Sequence, residues 1–213
     1  SPRPFNSNRI TDPICRPILF SVAGCVRYTI VPPAVDLAAF GTLGLVMFKA
    51  ENVKGDLDEA ATQYFLQEAT AAQRVPVVEL GPADAVLAEI GRTAFDREAA
   101  LAVGEKHGVE AFFVGEIQVT KVKPQIDLAA PLSKTLFARA AFDIAMKVRL
   151  ISAANGATLW TDSAIRQGTV GAIGMDGGVP VFQVRNKSTA LDETLREILY
   201  RLTWDFRPTR RRL

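Results

Sequence analysis

One histidine, two cysteines, three methionines and two tryptophans among 213 residues leave little material for several common chemistries. A closed structural zinc site needs four Cys or His ligands, more than this chain holds. A nucleophile–histidine set could draw only on His107, and no motif supports one. His107 precedes Gly108 at an expected helix end, where an imidazole can bond a free carbonyl or simply face solvent. The carboxylates are scattered, and their spacing selects no acid–base pair. No apolar run approaches the roughly 18 residues that mark a transmembrane helix. The expectation is a protein that is not an enzyme, with no metal and no cofactor.

Hydrophobic residues make up 48% of the chain and charged residues 23%, which is the balance of a folded protein and not of a disordered one. At about 150 residues per domain, one domain is expected. A chain of this length buries a core without disulfide or metal staples. The net charge of +2 hides a division. Residues 1–27 carry four arginines and one aspartate, and residues 207–213 carry four arginines. The stretch between them holds 17 basic and 22 acidic residues. A nucleic-acid domain should carry its basic face on the folded part, so no nucleic-acid partner is expected. The basic ends could still touch an anionic surface.

Residues 1–17 are polar, rich in Pro and Arg, and without period. They read as a leader or a disordered segment. An apolar run follows and ends in Val22-Ala23-Gly24-Cys25, which resembles a bacterial lipobox. Small residues before the cysteine let the backbone fit a signal peptidase, and the thiol accepts the lipid. The same residues also permit a buried strand with an inert cysteine, or a Cys15–Cys25 disulfide in an oxidising compartment. Pro32-Pro33 then disfavours helix and sheet interior and marks an extended lead-in.

In the body, residues 43–48 form an apolar run fitting a buried strand. Residues 56–74 carry helical spacing with Asp56 as cap and Glu68 off the apolar pattern. Residues 75–80 suggest a second strand, and Gly81-Pro82 opens a short helix ended by Gly91. Asp96 caps a third helix that Gly108 ends. Residues 109–123 and 142–150 alternate as strands, with Phe142, Ile144, Met146, Val148 and Leu150 on one side. Asn155-Gly156 signals a hairpin, with residues 158–167 returning. Residues 188–203 place Leu191, Leu195, Ile198, Leu199 and Leu202 on one helical face. The order β-α-β-α-α-β-β-β-α predicts a single-domain α/β sandwich with a mixed parallel/antiparallel sheet and about four helices.

Residues 168–178 hold five glycines, Gly168, Gly171, Gly174, Gly177 and Gly178. They read as a loop between strand and helix. Its apolar members Val170, Ile173 and Met175 have no partners suggested by periodicity, so they are the candidate partner-binding residues. The alternative is a small-ligand or nucleotide-binding module in which the glycines wrap a phosphate, although no Lys-Ser/Thr ending follows. Trp160 and Trp204 read as core or edge packing, and the arginine tail reads as a solvated terminus.

Several segments, in order, resemble the CsgG/LpoB-like periplasmic lipoprotein superfamily, which is similar to the N-terminal domain of TolB. Pro33-Ala34-Val35-Asp36-Leu37 looks like the family's Pro-Ala-Glu-Val-Asp-Leu lead-in without its Glu. Residues 43–48 are similar to its first strand, and Val77-Val78-Glu79-Leu80 to a later one. Gly108-Val109-Glu110-Ala111-Phe112-Phe113-Val114-Gly115-Glu116-Ile117 looks like its Gly-Val-Asp-Ala-(apolar)-Gly-x-Ile strand. Asn155-Gly156-Ala157-Thr158-Leu159-Trp160 is similar to its Thr-Gly-x-x-Leu-Trp hairpin. The resemblance spans residues 25–205.

It implies a bacterial envelope lipoprotein lipidated at Cys25, with residues 1–24 as leader and residues 25–40 as tether and lead-in. Residues 41–206 would form the domain, residues 207–213 a basic tail, and Cys15 would have no role. Val26 in place of an Asp after the cysteine implies the outer membrane, with the domain facing the periplasm. A family member that forms a secretion pore inserts two long hairpins. The connections at residues 124–134 and 168–185 are too short for paired spans of about 9–11 residues each. What remains is a lipoprotein that binds an envelope protein partner in an assembly or secretion machine, and a homo-oligomer is compatible with it.

Overall fold

The computed structural model describes residues 28–125, 139–170, 174–176, 179–182 and 189–212. Along the chain, β1 (Tyr28–Val31) leads through a 3-10 turn (Leu37–Phe40) into β2 (Leu43–Met47), β3 (Lys49–Glu51) and β4 (Lys54–Gly55). Then come α1 (Leu57–Ala72), β5 (Val77–Pro82), α2 (Ala83–Glu89) and α3 (Arg97–His107). The second half holds β6 (Ala111–Gln125), β7 (Arg139–Ser152), β8 (Thr158–Val170), β9 (Gly174–Asp176) and β10 (Val179–Phe182). It closes with α4 (Thr189–Leu202), a 3-10 turn (Trp204–Phe206) and β11 (Thr209–Arg212). The expected β-α-β-α-α-β-β-β-α order is the run β2, α1, β5, α2, α3, β6, β7, β8, α4.

The main sheet runs β5-β2-β6-β7-β8, with β3 pairing β6 further along. β2 lies parallel to both β5 and β6, whereas β6, β7 and β8 form an antiparallel meander. The mixed sheet follows from the connections: helices join the parallel strands, and the Asn155-Gly156 turn joins an antiparallel pair. In that turn Gly156 takes φ +72 and the Asn155 side chain accepts a bond from the Ala157 amide at 2.9 Å.

Strand pairing sorts the side chains. Phe113, Ile117 and Val119 of β6 face the same side as Leu150, Met146 and Ile144 of β7. These join Leu43, Leu45, Phe65 of α1 and Leu195, Ile198, Leu199 and Leu202 of α4 in one core. The opposite side, with Val46, Phe112, Val114 and Ile151, is covered by Val86 of α2 and by Ala100 and Val103 of α3. β2 is therefore buried on both faces, which is why residues 43–46 read as an unbroken apolar run. Phe65 sits among Phe48, Phe113 and Phe206, with ring centroids at 5.2, 5.0 and 6.5 Å.

The caps are partly as expected. The Asp96 side chain accepts from the Ala99 amide at 2.8 Å, and Gly108 ends α3 at φ +66. Asp56 holds the N-cap position of α1, but its side chain makes no capping bond. No helix among the described residues is long and apolar enough to cross a membrane.

Two parts of the fold differ from the sequence reading. The arginine tail is an ordered strand, because Thr209–Arg212 pairs antiparallel with Tyr28–Val31. The segment 168–178 is not a loop throughout: β8 continues to Val170, and Gly174–Asp176 pairs with β10, which itself lies parallel to β4. Gly168 is buried in β8, where an added Cβ would run into the Phe142 ring. Its glycine character serves close packing, which a one-dimensional reading cannot separate from loop character.

Candidate interaction surface

The two ends of the domain converge on one side chain. Gln73, the residue after α1, accepts from the Leu37 amide at 2.8 Å. Its amide nitrogen donates to the carbonyls of Val35 at 2.7 Å and Phe206 at 3.0 Å. An amide side chain offers one acceptor oxygen and two donor hydrogens, so all three bonds can form at once. The Val35 amide also donates to the Asp205 carbonyl at 3.1 Å, and the Trp160 indole donates to the Asp205 carboxylate at 3.1 Å. Asp36 caps the 3-10 turn through the Ala38 amide, and Leu37 is fully buried behind it. This knot fixes where the β1–β11 ribbon leaves the body.

Next to the knot, α4 presents a stripe of rings and arginines. Arg196 and Tyr200 of α4 and Trp204 of the following 3-10 turn come at intervals of four and are exposed, whereas Leu195, Ile198, Leu199 and Leu202 are buried. Tyr200 and Trp204 are 47% and 45% exposed, yet they stack edge to face with centroids 5.8 Å apart. Arg207 lies 4.5 Å over the Tyr200 ring and Arg196 lies 4.1 Å over the Tyr64 ring. Arg207 also pairs with Glu68 at 2.5 Å and donates to the Thr203 hydroxyl at 2.8 Å. Glu68, off the apolar pattern of α1, is thus the anion that holds Arg207 in place.

At the other end of the stripe, the Tyr64 hydroxyl donates to the Asp192 carboxylate, and Arg196 donates to its second oxygen at 3.0 Å. The bond to Asp192, with burial and the Asp192 charge, holds the Tyr64 phenol above its ordinary value, against the opposing pull of Arg196. Burial works to raise the Asp192 carboxyl. The bonds from Tyr64 and Arg196, together with the guanidinium charge, outweigh it and hold the group below its ordinary range.

Comparison with known proteins gives likeness in fold at low identity. No family model matches the chain, and no curated protein matches it. Similar solved structures include a variant PelC dodecamer from Paraburkholderia phytofirmans, 12% identical, covering 85% of this chain and 98% of that one, with a TM-score of 0.49. The hypothetical protein CT253 from Chlamydia trachomatis is 11% identical over 78% of this chain and 98% of that one, with a TM-score of 0.43. The LpoB C-terminal domain from Salmonella enterica is 13% identical over 60% of this chain and 83% of that one, with a TM-score of 0.36. At these scores the likeness carries no inference about function.

Of the residues singled out in the sequence, Cys25, Cys15 and Ile173 lie outside the described residues. Val170 is in β8 opposite Ala140, and Met175 is in β9 opposite Pro180. The side chains of both lie outside the described residues. Gly168 and Gly174 occupy ladder positions, opposite Phe142 and Val181. His107 sits in the last turn of α3, with Nε2 3.8 Å from the Glu89 carboxylate and no hydrogen bond at that nitrogen. Trp160 is core as expected, 4.8 Å from the Phe206 ring, but Trp204 is half exposed. Among the described residues no group of three or more His, Cys, Asp or Glu side chains converges.

Sequence reading missed Gln73 and the α4 stripe. The stripe had a legible signal, since Arg196, Tyr200 and Trp204 recur every four residues outside the leucine positions. Gln73 had none, because its three partners come from segments far away in the chain.

Proposed function

We propose that this chain is a bacterial envelope lipoprotein, anchored through Cys25 at the periplasmic face of the outer membrane, that acts by binding a protein partner and not by catalysis. The anchor rests on Val22-Ala23-Gly24-Cys25 and on the resemblance carried by residues 25–205. The observation that carries the binding role is the prearranged stripe of Tyr200, Trp204, Arg207 and Arg196. Tyr, Trp and Arg dominate protein-binding hot spots, and rings already held by stacking lose little entropy on docking. Tyr200 and Trp204 lie outside the buried core and offer their open faces to a partner.

A photocrosslinking residue placed at position 204 of the membrane-anchored protein tests this. One discrete adduct should form there, and none at Ile165, which is 66% exposed on the opposite side of the sheet. An adduct of twice the chain mass identifies the partner as a second copy. Adducts at both positions, or at neither, defeat the reading. If the partner is lost only when Val170, Ile173 and Met175 are replaced, the binding surface belongs to that segment instead. Absence of an acyl adduct on Cys25 by intact mass defeats the anchor.

A further inference from the structure

We propose that the outward face of the β1–β11 ribbon seats on the anionic phospholipid headgroups of the membrane that holds the Cys25 anchor. The proposal rests on the anchor reading and adds a second, non-covalent contact to it. The register pairs Tyr28 with Arg212, Thr29 with Arg211, Ile30 with Arg210 and Val31 with Thr209. Cross-strand partners share a face and alternate residues reverse it, so Tyr28, Ile30, Arg210 and Arg212 lie together on one side. The half-buried members of the ribbon, Thr29 and Thr209, lie on the other side. Tyr28 and Ile30 are 61% and 71% exposed, the highest exposures on the ribbon for apolar side chains.

That outward face has the composition of a bilayer interface. Tyrosine settles at headgroup depth, an aliphatic residue enters the acyl boundary, and arginine stems lie along apolar surface with their charges on phosphate. Neither strand contains an acidic residue. Among the described residues no carboxylate pairs with Arg210, Arg211 or Arg212, whereas Arg196 and Arg207 are both paired. These guanidinium groups, without a carboxylate partner among the described residues, are complementary to an anionic surface.

Chain length places the same face near the bilayer. Cys25 precedes Tyr28 by three residues, and an extended chain gains at most about 3.6 Å per residue, so acyl chains on Cys25 hold the ribbon within roughly 11 Å of their attachment point. A two-stranded ribbon is marginal by itself, and the Gln73 bonds to the Val35 and Phe206 carbonyls tie its inner end, beyond the Val31–Thr209 pair, to the body. One acyl signal plus a basic patch anchors more firmly than either alone and fixes orientation as well.

The test uses the full chain carrying Cys25→Ser, so that no acyl chain contributes. It should co-sediment with vesicles of phosphatidylglycerol and phosphatidylethanolamine but not with phosphatidylcholine vesicles, and high salt should release it. Charge reversal at Arg210→Glu with Arg212→Glu should weaken partitioning at least about tenfold, given the usual contribution of each basic residue near such a surface. Arg210→Lys with Arg212→Lys should bind like the parent, and Tyr28→Ser with Ile30→Ser should weaken binding with charge unchanged. Arg211→Glu, a single reversal on the other face of the ribbon, should weaken it less than the double reversal. Failure of the parent to bind anionic vesicles, or equal binding by the parent and the Arg210/Arg212 reversal, overturns the proposal. A missing acyl adduct on native Cys25 overturns the anchor instead, and the two failures are read from different measurements.

Discussion

At the scale of single residues, Gln73 carries more structure than its place in the sequence suggests. Its three bonds satisfy backbone groups of Val35, Leu37 and Phe206 that no sheet or helix ladder reaches. Gln73→Ala leaves these groups to water or unsatisfied, a loss of about 1–3 kcal/mol by urea unfolding. Gln73→Glu should recover none of it at neutral pH, because a carboxylate cannot donate to the two carbonyls. Recovery with Glu would show that only the bond from Leu37 matters. Asp192 makes a pH-dependent contribution of known sign. Its folded carboxyl lies below the ordinary 3.8, so its stabilisation is present above that value and is lost as pH falls through the folded one. Tyr64 lies above the ordinary 10.0, so its share is present below 10.0 and is lost as pH rises through the raised value. Asp192→Asn should flatten the urea midpoint against pH at both extremes relative to the parent. Parallel profiles for the two proteins would remove this cluster from the titration.

At the scale of elements, the sequence exposes what repeats along a strand or helix and hides what depends on a distant neighbour. The alternation Phe142, Ile144, Met146, Val148 and Leu150 is fully buried as expected, since period two needs no knowledge of the partner strand. The leucine face of α4 was equally legible. β1, β4, β9, β10 and β11 were not, because strands of two to four residues carry no measurable period. Gly168 shows the same limit, because a glycine chosen for a turn and one chosen to admit Phe142 look alike in the chain. The two give opposite signs on substitution. In an open loop Gly→Ala stabilises by about 0.4–1 kcal/mol through the unfolded chain. In β8 the added methyl meets the Phe142 ring, and Gly168→Ala should cost about 1–3 kcal/mol. Phe142→Leu in the same protein should relieve part of that cost, and a gain in melting temperature for Gly168→Ala alone would restore the loop.

At the scale of the whole molecule, the sheet joins two kinds of pairing with different chain separations. The β7–β8 pair closes around a short turn at residues 153–157, and the β2–β5 pair must wait for α1 to cross over. The β1–β11 pair joins the two ends of the described chain and depends on a knot that needs α1, Trp160 and Asp205 already in place. Loop-closure entropy rises only with the logarithm of length, so distance alone does not make the ribbon last; the prior assembly of its attachment points does. The mixed topology was readable from the order of elements, but the return of the tail to the lead-in was not, because neither strand buries a face that would mark it. During refolding under pulsed hydrogen exchange, amides of Val148, Leu150 and Trp160 should gain protection first. Those of Leu43 and Leu45 should follow, and those of Thr29 and Arg211 should come last. In the native protein the ribbon amides should also open at lower free energy than those of β6 and β7, and Gln73→Ala should widen that gap without changing exchange at Ile117 beyond its effect on global stability. Ribbon amides protected together with the β7–β8 pair would mean that the two ends meet before the body forms, and the knot would then be a folding nucleus instead of a final clasp.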